Sequence, residues 1–188
     1  MNEVKYILGM PIQIEKIGLL YPLTVEDFVK YYDFFTIIHI TKNTVLQQID
    51  MNNKEYRREI EENVKNFDIL FQNTEFVQML IGLLAVCFRT ENIKLNLYNK
   101  SISVNDRKVD RDNWDEIREA IIKINKLNVP KQAKTKELQE WYDKARKSQG
   151  NNSGITLEDM IDSIMLQCGF TSKQIREMTF YQLNRLFG

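Results

Sequence analysis

The run from Glu75 to Phe88 constrains this chain more than any other segment. It contains Phe76, Met79, Leu80, Leu83, Leu84 and Cys87 and is apolar nearly all round. A helix of that kind has no face to offer water and must be enclosed by the rest of the fold. It falls short of the roughly 18 residues needed to span a bilayer, so a buried central helix, capped by Thr74, is expected and no membrane span. The chain has 188 residues to build the surround. At that size roughly 70% of the unfolded surface is buried, enough for a core without metal or disulfide staples. Hydrophobic residues at 43% and charged residues at 28% fit a globular domain.

The segments before this helix supply its first layers. Val4, Tyr6 and Leu8 alternate, Gly9 interrupts, and Pro11-Ile12-Gln13-Ile14 alternates again. This predicts two short strands joined near Gly9. Thr24-Val25-Glu26-Asp27 reads as a capping box with Asp at the third helical position. It opens a helix carrying Phe28, Tyr31, Phe34, Phe35 and Ile38. Between Asn53 and Glu62 acidic and basic residues interleave, the pattern of a solvated helix face.

Beyond the central helix the period switches to two. Ile93, Leu95 and Leu97 share one face, Asn99-Lys100 turns, and Ser101–Val104 returns as the second strand of a hairpin. Asp112 or Asn113 caps a helix through Trp114, Ile117, Ile121, Ile122 and Ile124, and Pro130 ends this body. The Lys-rich stretch 131–147 follows, then a Ser/Gly/Asn linker over 148–154. Thr156, Thr171 and Thr179 each stand three residues before Asp159, Gln174 and Gln182, predicting three short helices. The expected architecture is therefore α+β and mostly helical. Short N-terminal strands and a mid-chain β-hairpin pack with several helices over 1–129. A polar helix and linker (130–154) lead to a small three-helix C-terminal module over 155–188.

The residues argue against several chemistries. Two cysteines and one histidine cannot supply the four N/S ligands of a structural zinc site. Cys87 reads as a buried free thiol, and no signal peptide opens the chain. His39 lies in an Ile-rich stretch without a Gly-x-Ser-x-Gly elbow, and the seven glycines are too dispersed for a phosphate loop. Glu26-Asp27 and Glu158-Asp159 fall in first helical turns, where they complement the helix dipole. No enzyme, metal or cofactor is expected. Lys+Arg and Asp+Glu both number 26, a balance that argues against a dedicated binder of nucleic acid.

Binding is the remaining expectation, and two segments could carry it. Residues 131–147 hold six basic and three acidic side chains around Trp141 and Tyr142. The favoured reading is a solvated helix docking a narrow stripe of Leu138, Trp141, Tyr142 and Ala145 on the body; the alternative is a nucleic-acid contact. The terminal helix carries Phe180, Tyr181, Leu183, Leu186 and Phe187. It either packs against Met160, Ile161, Ile164 and Met165 or offers a partner its aromatic anchors. Partner-binding candidates are thus Phe180, Tyr181, Leu183, Leu186, Phe187, Trp141 and Tyr142.

Three segments together resemble a known family. Met10-Pro11-Ile12-Gln13-Ile14, Ile17-Gly18 and Tyr21-Pro22-Leu23-Thr24-Val25 are similar to the start of tail-assembly-chaperone-like proteins of phages infecting Gram-positive bacteria. Asp112–Ile122 resembles their helix after a hairpin, and Met178-Thr179-Phe180-Tyr181-Gln182-Leu183-Asn184-Arg185-Leu186 resembles their closing helix. The central apolar helix corresponds to no motif of that family. The resemblance implies a non-enzymatic factor of the host bacterial cytoplasm. Such a factor keeps the tape-measure protein soluble while tail-tube subunits polymerise around it. A small phage nucleic-acid-binding or host-inhibitory protein is the alternative.

Overall fold

The computed structural model describes residues 3–129, 133–148 and 156–187, with the side chains of 144–148 and 187 outside that description. The fold is α+β and mostly helical. The opening segment expected as a strand is helix α1, Glu3–Ile7. Val4 and Leu8, four apart, share an exposed helical face, whereas Tyr6 turns the other way and is buried. Three alternating residues fit one helical turn as well as they fit a strand, and burying Tyr6 selects the helix. The hairpin comes later, with β1 (Ile12–Ile14) antiparallel to β2 (Gly18–Leu20) and Ile12 opposite Leu20. Gly9 separates the two at φ +65, and a Cβ there would lie 3.0 Å from Thr179 Cγ2.

Thr24 opens α2 (Val25–Lys30) with the predicted capping box. Its Oγ1 accepts the Asp27 N–H at 3.0 Å, and Asp27 Oδ2 accepts the Thr24 N–H at 3.3 Å. The single long helix expected here is broken at Tyr31. It continues as α3 (Tyr32–Phe35) and a 3-10 turn over Thr36–His39. The break sends the aromatic stripe in two directions. Phe28 stacks on Phe180, with ring centroids 3.8 Å apart, and Phe34 covers Gly82, where a Cβ would meet its ring at 2.5 Å.

Short helices α4 (Lys42–Leu46), α5 (Lys54–Asn63) and α6 (Asn66–Leu70) follow. The solvated face expected on α5 has one inward exception. Arg57 is buried, and its guanidinium donates to the carbonyls of Leu46 (2.6 Å), Ile49 (3.0 Å) and Lys134 (2.8 Å). The Leu46 carbonyl, at the end of α4, lacks an intrahelical partner, and a planar five-donor fork can satisfy several carbonyls at once.

Helix α7 (Thr74–Phe88) is the buried centre that the sequence predicts, although Asn73, not Thr74, caps it. Leu80, Leu83, Leu84 and Cys87 are fully enclosed. Arg89 ends the helix in the left-handed region, and the Tyr21 N–H donates to the Cys87 carbonyl at 2.9 Å. Burial pushes the Cys87 thiol pKa well above its ordinary value, whereas Cys168 is exposed. A thiol reagent should therefore titrate one cysteine per native chain and both in denaturant. Rapid native reaction of both would mean that α7 is not enclosed.

Strands β3 (Ile93–Asn96), β4 (Ser101–Val104) and β5 (Arg107–Val109) form an antiparallel sheet with β4 central, one strand more than the expected hairpin. Ile102 and Val104 face the core. The apolar face expected on Ile93, Leu95 and Leu97 meets the core at Ile93 alone of the three: Leu95 is exposed, and Leu97 is 69% and the adjoining Tyr98 96% exposed. With β4 packed on α7, the edge strand and its turn extend past the core. Helix α8 (Trp114–Ile124) buries Trp114, Ile117, Ala120, Ile121 and Ile124, as its spacing predicts.

Helix α9 (Lys136–Ser148) does not seat the expected stripe, since Trp141 is 62% exposed and Leu138 is also exposed. The Ala145 side chain, Pro130 and the 149–154 portion of the linker lie outside the described residues. Helices α10 (Leu157–Cys168), α11 (Ser172–Glu177) and α12 (Phe180–Phe187) complete the chain. All three predicted Thr caps form. Thr156 pairs with Asp159 and Thr171 with Gln174, while Thr179 N–H donates to Gln182 Oε1 at 2.8 Å and receives the reciprocal bond.

Candidate functional site

The C-terminal helices share one hydrophobic core with the body, and a seam of backbone hydrogen bonds joins them. The Val25 N–H donates to the Met178 carbonyl at 2.9 Å, and the Phe180 N–H donates to the Leu23 carbonyl at 2.8 Å. Thr24 and Thr179, the caps of α2 and α12, therefore face each other as an antiparallel bridge. Asn125, fully buried at the end of α8, locks the same place. Its Oδ1 accepts the Leu23 N–H at 2.9 Å and its Nδ2 donates to the Ile121 carbonyl at 2.9 Å. The bond to Leu23 satisfies a main-chain N–H that burial would otherwise leave unpaired, and the bond to Ile121 holds the amide in place.

This seam decides where the candidate binding residues go. Phe180, Tyr181 and Leu183 are buried and belong to the docking side of α12. The main ring partner of Phe180 is Phe28 of the body, a correction to the expected packing on α10 alone. The Tyr181 ring lies 5.6 Å from that of Tyr6, and its hydroxyl donates to Glu3 Oε1 at 3.0 Å. Burial first, and this hydrogen bond second, raise the Tyr181 pKa above the usual phenol value. These three side chains are thus committed inside the chain and are not free anchors. Leu186 alone of the described candidates on α12 is exposed, and the Phe187 side chain lies outside the described residues. Trp141 and Tyr142 are adjacent, with rings 5.8 Å apart, but belong to α9; Tyr142 is half-buried and lines a different cleft.

Leu186 opens onto a groove of about 410 Å³. Ile7 of α1, Phe170 and Met178 of the α10–α12 connections, and Gln182, Arg185 and Leu186 of α12 line it. Gln182 is spent on structure, because its Nε2 donates to the Ile7 carbonyl at 2.8 Å and so fixes α1 against α12. The groove is a mostly apolar trough with one cation, Arg185, at its side. It has the makings of a protein contact: an adaptable thioether, an aromatic ring and an aliphatic edge. Sequence reasoning missed Ile7, Phe170 and Met178. Phe170 and Met178 each stand just before a capping threonine, the place of a hydrophobic staple, and that signal points to them.

His39, the single histidine, ends the 3-10 turn. Burial and then the Arg118 charge hold its pKa below the ordinary value, so it is neutral at pH 7. Among the described residues there is no group of three or more His, Cys, Asp or Glu placed to hold a metal ion, and no helix is long and apolar enough to cross a membrane.

No protein-family model and no solved structure matches the chain. It is 26% identical over 189 aligned residues to the SPbeta prophage-derived uncharacterized protein YomV of Bacillus subtilis (strain 168). That alignment covers 97% of this chain and 75% of the relative. Likeness over nearly the whole chain supports a phage-derived protein of Gram-positive bacteria.

Proposed function

We propose that this protein is a phage tail-assembly chaperone of the host cytoplasm. It holds the tape-measure protein, tail-tube subunits or both through protein–protein contacts during virion assembly. The observation that carries the reading is the apolar groove of Ile7, Phe170, Met178 and Leu186 at the docked C-terminal helix. A long helical client with exposed apolar seams needs transient cover of this adaptable kind. The prophage relative supports the setting. Two of the three segments that resemble the chaperone family lie together, since Leu23–Val25 bonds to Met178–Phe180, and Asn125, three residues past the third segment, bonds to Leu23. The family-like residues of start and end thus meet at one seam, beside which the groove opens.

Co-expression with the tape-measure protein encoded nearby, followed by size exclusion and native mass spectrometry, tests the reading. The expected result is a soluble complex with a client that is insoluble alone. Leu186→Asp, at an exposed position, should weaken that complex roughly tenfold or more while leaving the melting temperature nearly unchanged. A client that behaves identically with and without this chain would end the chaperone reading. An intact complex with Leu186→Asp would move the contact off the groove.

The exposed Trp141 in a Lys-rich segment favours the second reading, a nucleic-acid contact by α9. Affinity for single-stranded nucleic acid falling steeply with salt would support it.

A further inference from the structure

Across α8 from its buried face lies a cleft of about 560 Å³, bounded by Lys42 at the start of α4, by α8 and by Tyr142 of α9. Its volume is in the range of small-molecule sites, about 300–1,000 Å³. Among the described residues three cations line it, Lys42, Arg118 and Lys123, against one carboxylate, Glu119. Among the described residues only Lys123 has an ion-pair partner, Glu119 Oε2 at 3.2 Å. Lys42 is part-buried, and its ammonium donates to the Glu61 carbonyl at 2.9 Å, a bond that leaves its full charge in place.

Arg118 is the most telling of the three. It is half-buried, and its Nε donates to the Ile38 carbonyl at 2.7 Å, which fixes the plane of the guanidinium. Among the described residues its two terminal nitrogens carry no hydrogen bond, and no carboxylate lies within ion-pair distance. Asp115 and Glu119 act on it only at longer range, and Asp115 is engaged by the Asn66 amide at 2.7 Å. Burial outweighs their attraction and pushes the Arg118 pKa down. A fixed planar fork with two free donor nitrogens matches the oxygens of a carboxylate or a phosphate.

Charge decides between the two anions. Among the described lining residues three cations less one carboxylate leave a surplus of two. A phosphate monoester carries about −1.5 to −2 at pH 7, where a carboxylate carries one charge. Ile122, Val129 and the Tyr142 ring supply an apolar wall beside the cations, suited to an organic body attached to the phosphate. We propose that this cleft binds a small organic phosphate, with Arg118 and Lys42 on the phosphate, Lys123 at the rim and Tyr142 against the organic body. The cleft shares no lining residue with the apolar groove, so the two proposals stand or fall separately.

Calorimetric titration of the full chain with adenosine 5′-monophosphate, inorganic phosphate and adenosine tests this at low salt. The monophosphate should saturate one site below about 1 mM, a binding free energy beyond about 4 kcal/mol. Inorganic phosphate should bind more weakly and adenosine should not saturate. Arg118→Gln should weaken the monophosphate roughly tenfold or more, the worth of a charge-assisted contact. Because Arg118 also holds the Ile38 carbonyl, Lys123→Glu at the exposed rim provides a variant whose folding is not at stake. It should weaken binding several-fold with an unchanged melting curve. Failure of both phosphates to saturate would overturn the proposal. So would adenosine binding as well as its monophosphate, inorganic phosphate binding as tightly as the ester, or a folded Lys123→Glu chain with unaltered affinity.

Discussion

Phe180→Ala should lower the melting temperature of the whole chain in a single transition. Phe180 stacks on Phe28 at 3.8 Å between centroids, and Leu183 on the same helix is fully buried. Truncating a buried Phe to Ala costs about 3–5 kcal/mol, and Leu to Ala about 2–5 kcal/mol. For a chain of this length each kcal/mol shifts the midpoint by about 2–4 °C, so Phe180→Ala alone should move it by about 6–20 °C. Calorimetry, with hydrogen exchange at the amides of Val25 and Phe180, measures both parts of the claim. Those two N–H groups bridge the body and the C-terminal segment, and they should lose protection together. Two separate transitions, or a body melting unchanged beside a loosened 156–187 segment, would show an autonomous C-terminal module. The double variant Phe180→Ala with Leu183→Ala therefore tests stability, whereas Leu186→Asp tests partner binding.

The second large effect belongs to Trp114. It is fully buried at the start of α8, with its ring 6.4 Å from Phe67, and its indole Nε1–H has no hydrogen-bond partner in the described structure. Trp114→Ala should cost about 3–5 kcal/mol through the cavity it leaves. Trp114→Phe keeps most of the ring and removes the unpaired donor, whose burial costs about 1–3 kcal/mol. It should therefore be milder than Trp114→Ala by about 2 kcal/mol or more. Urea titrations give both values. Fluorescence checks the environment, because removing Trp114 leaves the exposed Trp141 as the remaining indole and shifts native emission to the red. Equal losses in the two variants would place the value of Trp114 in its N–H instead, against the geometry found here.

Local signals hold where local chemistry satisfies them. The Thr24–Asp27 box and the pairs Thr156/Asp159, Thr171/Gln174 and Thr179/Gln182 need only residues three apart, and all form. Helix α8 follows its 3.6-residue spacing because one stripe meets the core. The Thr74 cap fails locally, because Asn73 accepts the Glu75 N–H instead, and the other failures depend on a partner distant in sequence. Residues 4–8 fit two periods, and Tyr6 meeting Tyr181 chose between them. The α5 charge pattern concealed Arg57, whose three carbonyls come from two other parts of the chain. In the candidate site Leu186 was legible as an apolar position on α12, but its outward direction was not.

The sequence by itself determined the elements: a central helix that had to be buried, a β-hairpin where the period turned to two, and three capped helices at the end. Each rests on periodicity or on hydrogen bonds closed within a few residues. Tertiary structure decided which face of α12 was spent on the core. It also decided where a groove was left open and which cations lacked a counter-charge. Those outcomes depend on main-chain groups far apart in the chain, Leu23 and Val25 with Phe180 and Met178, finding each other in a space that excludes water. Only there does an unpaired amide cost enough to fix how a whole helix docks.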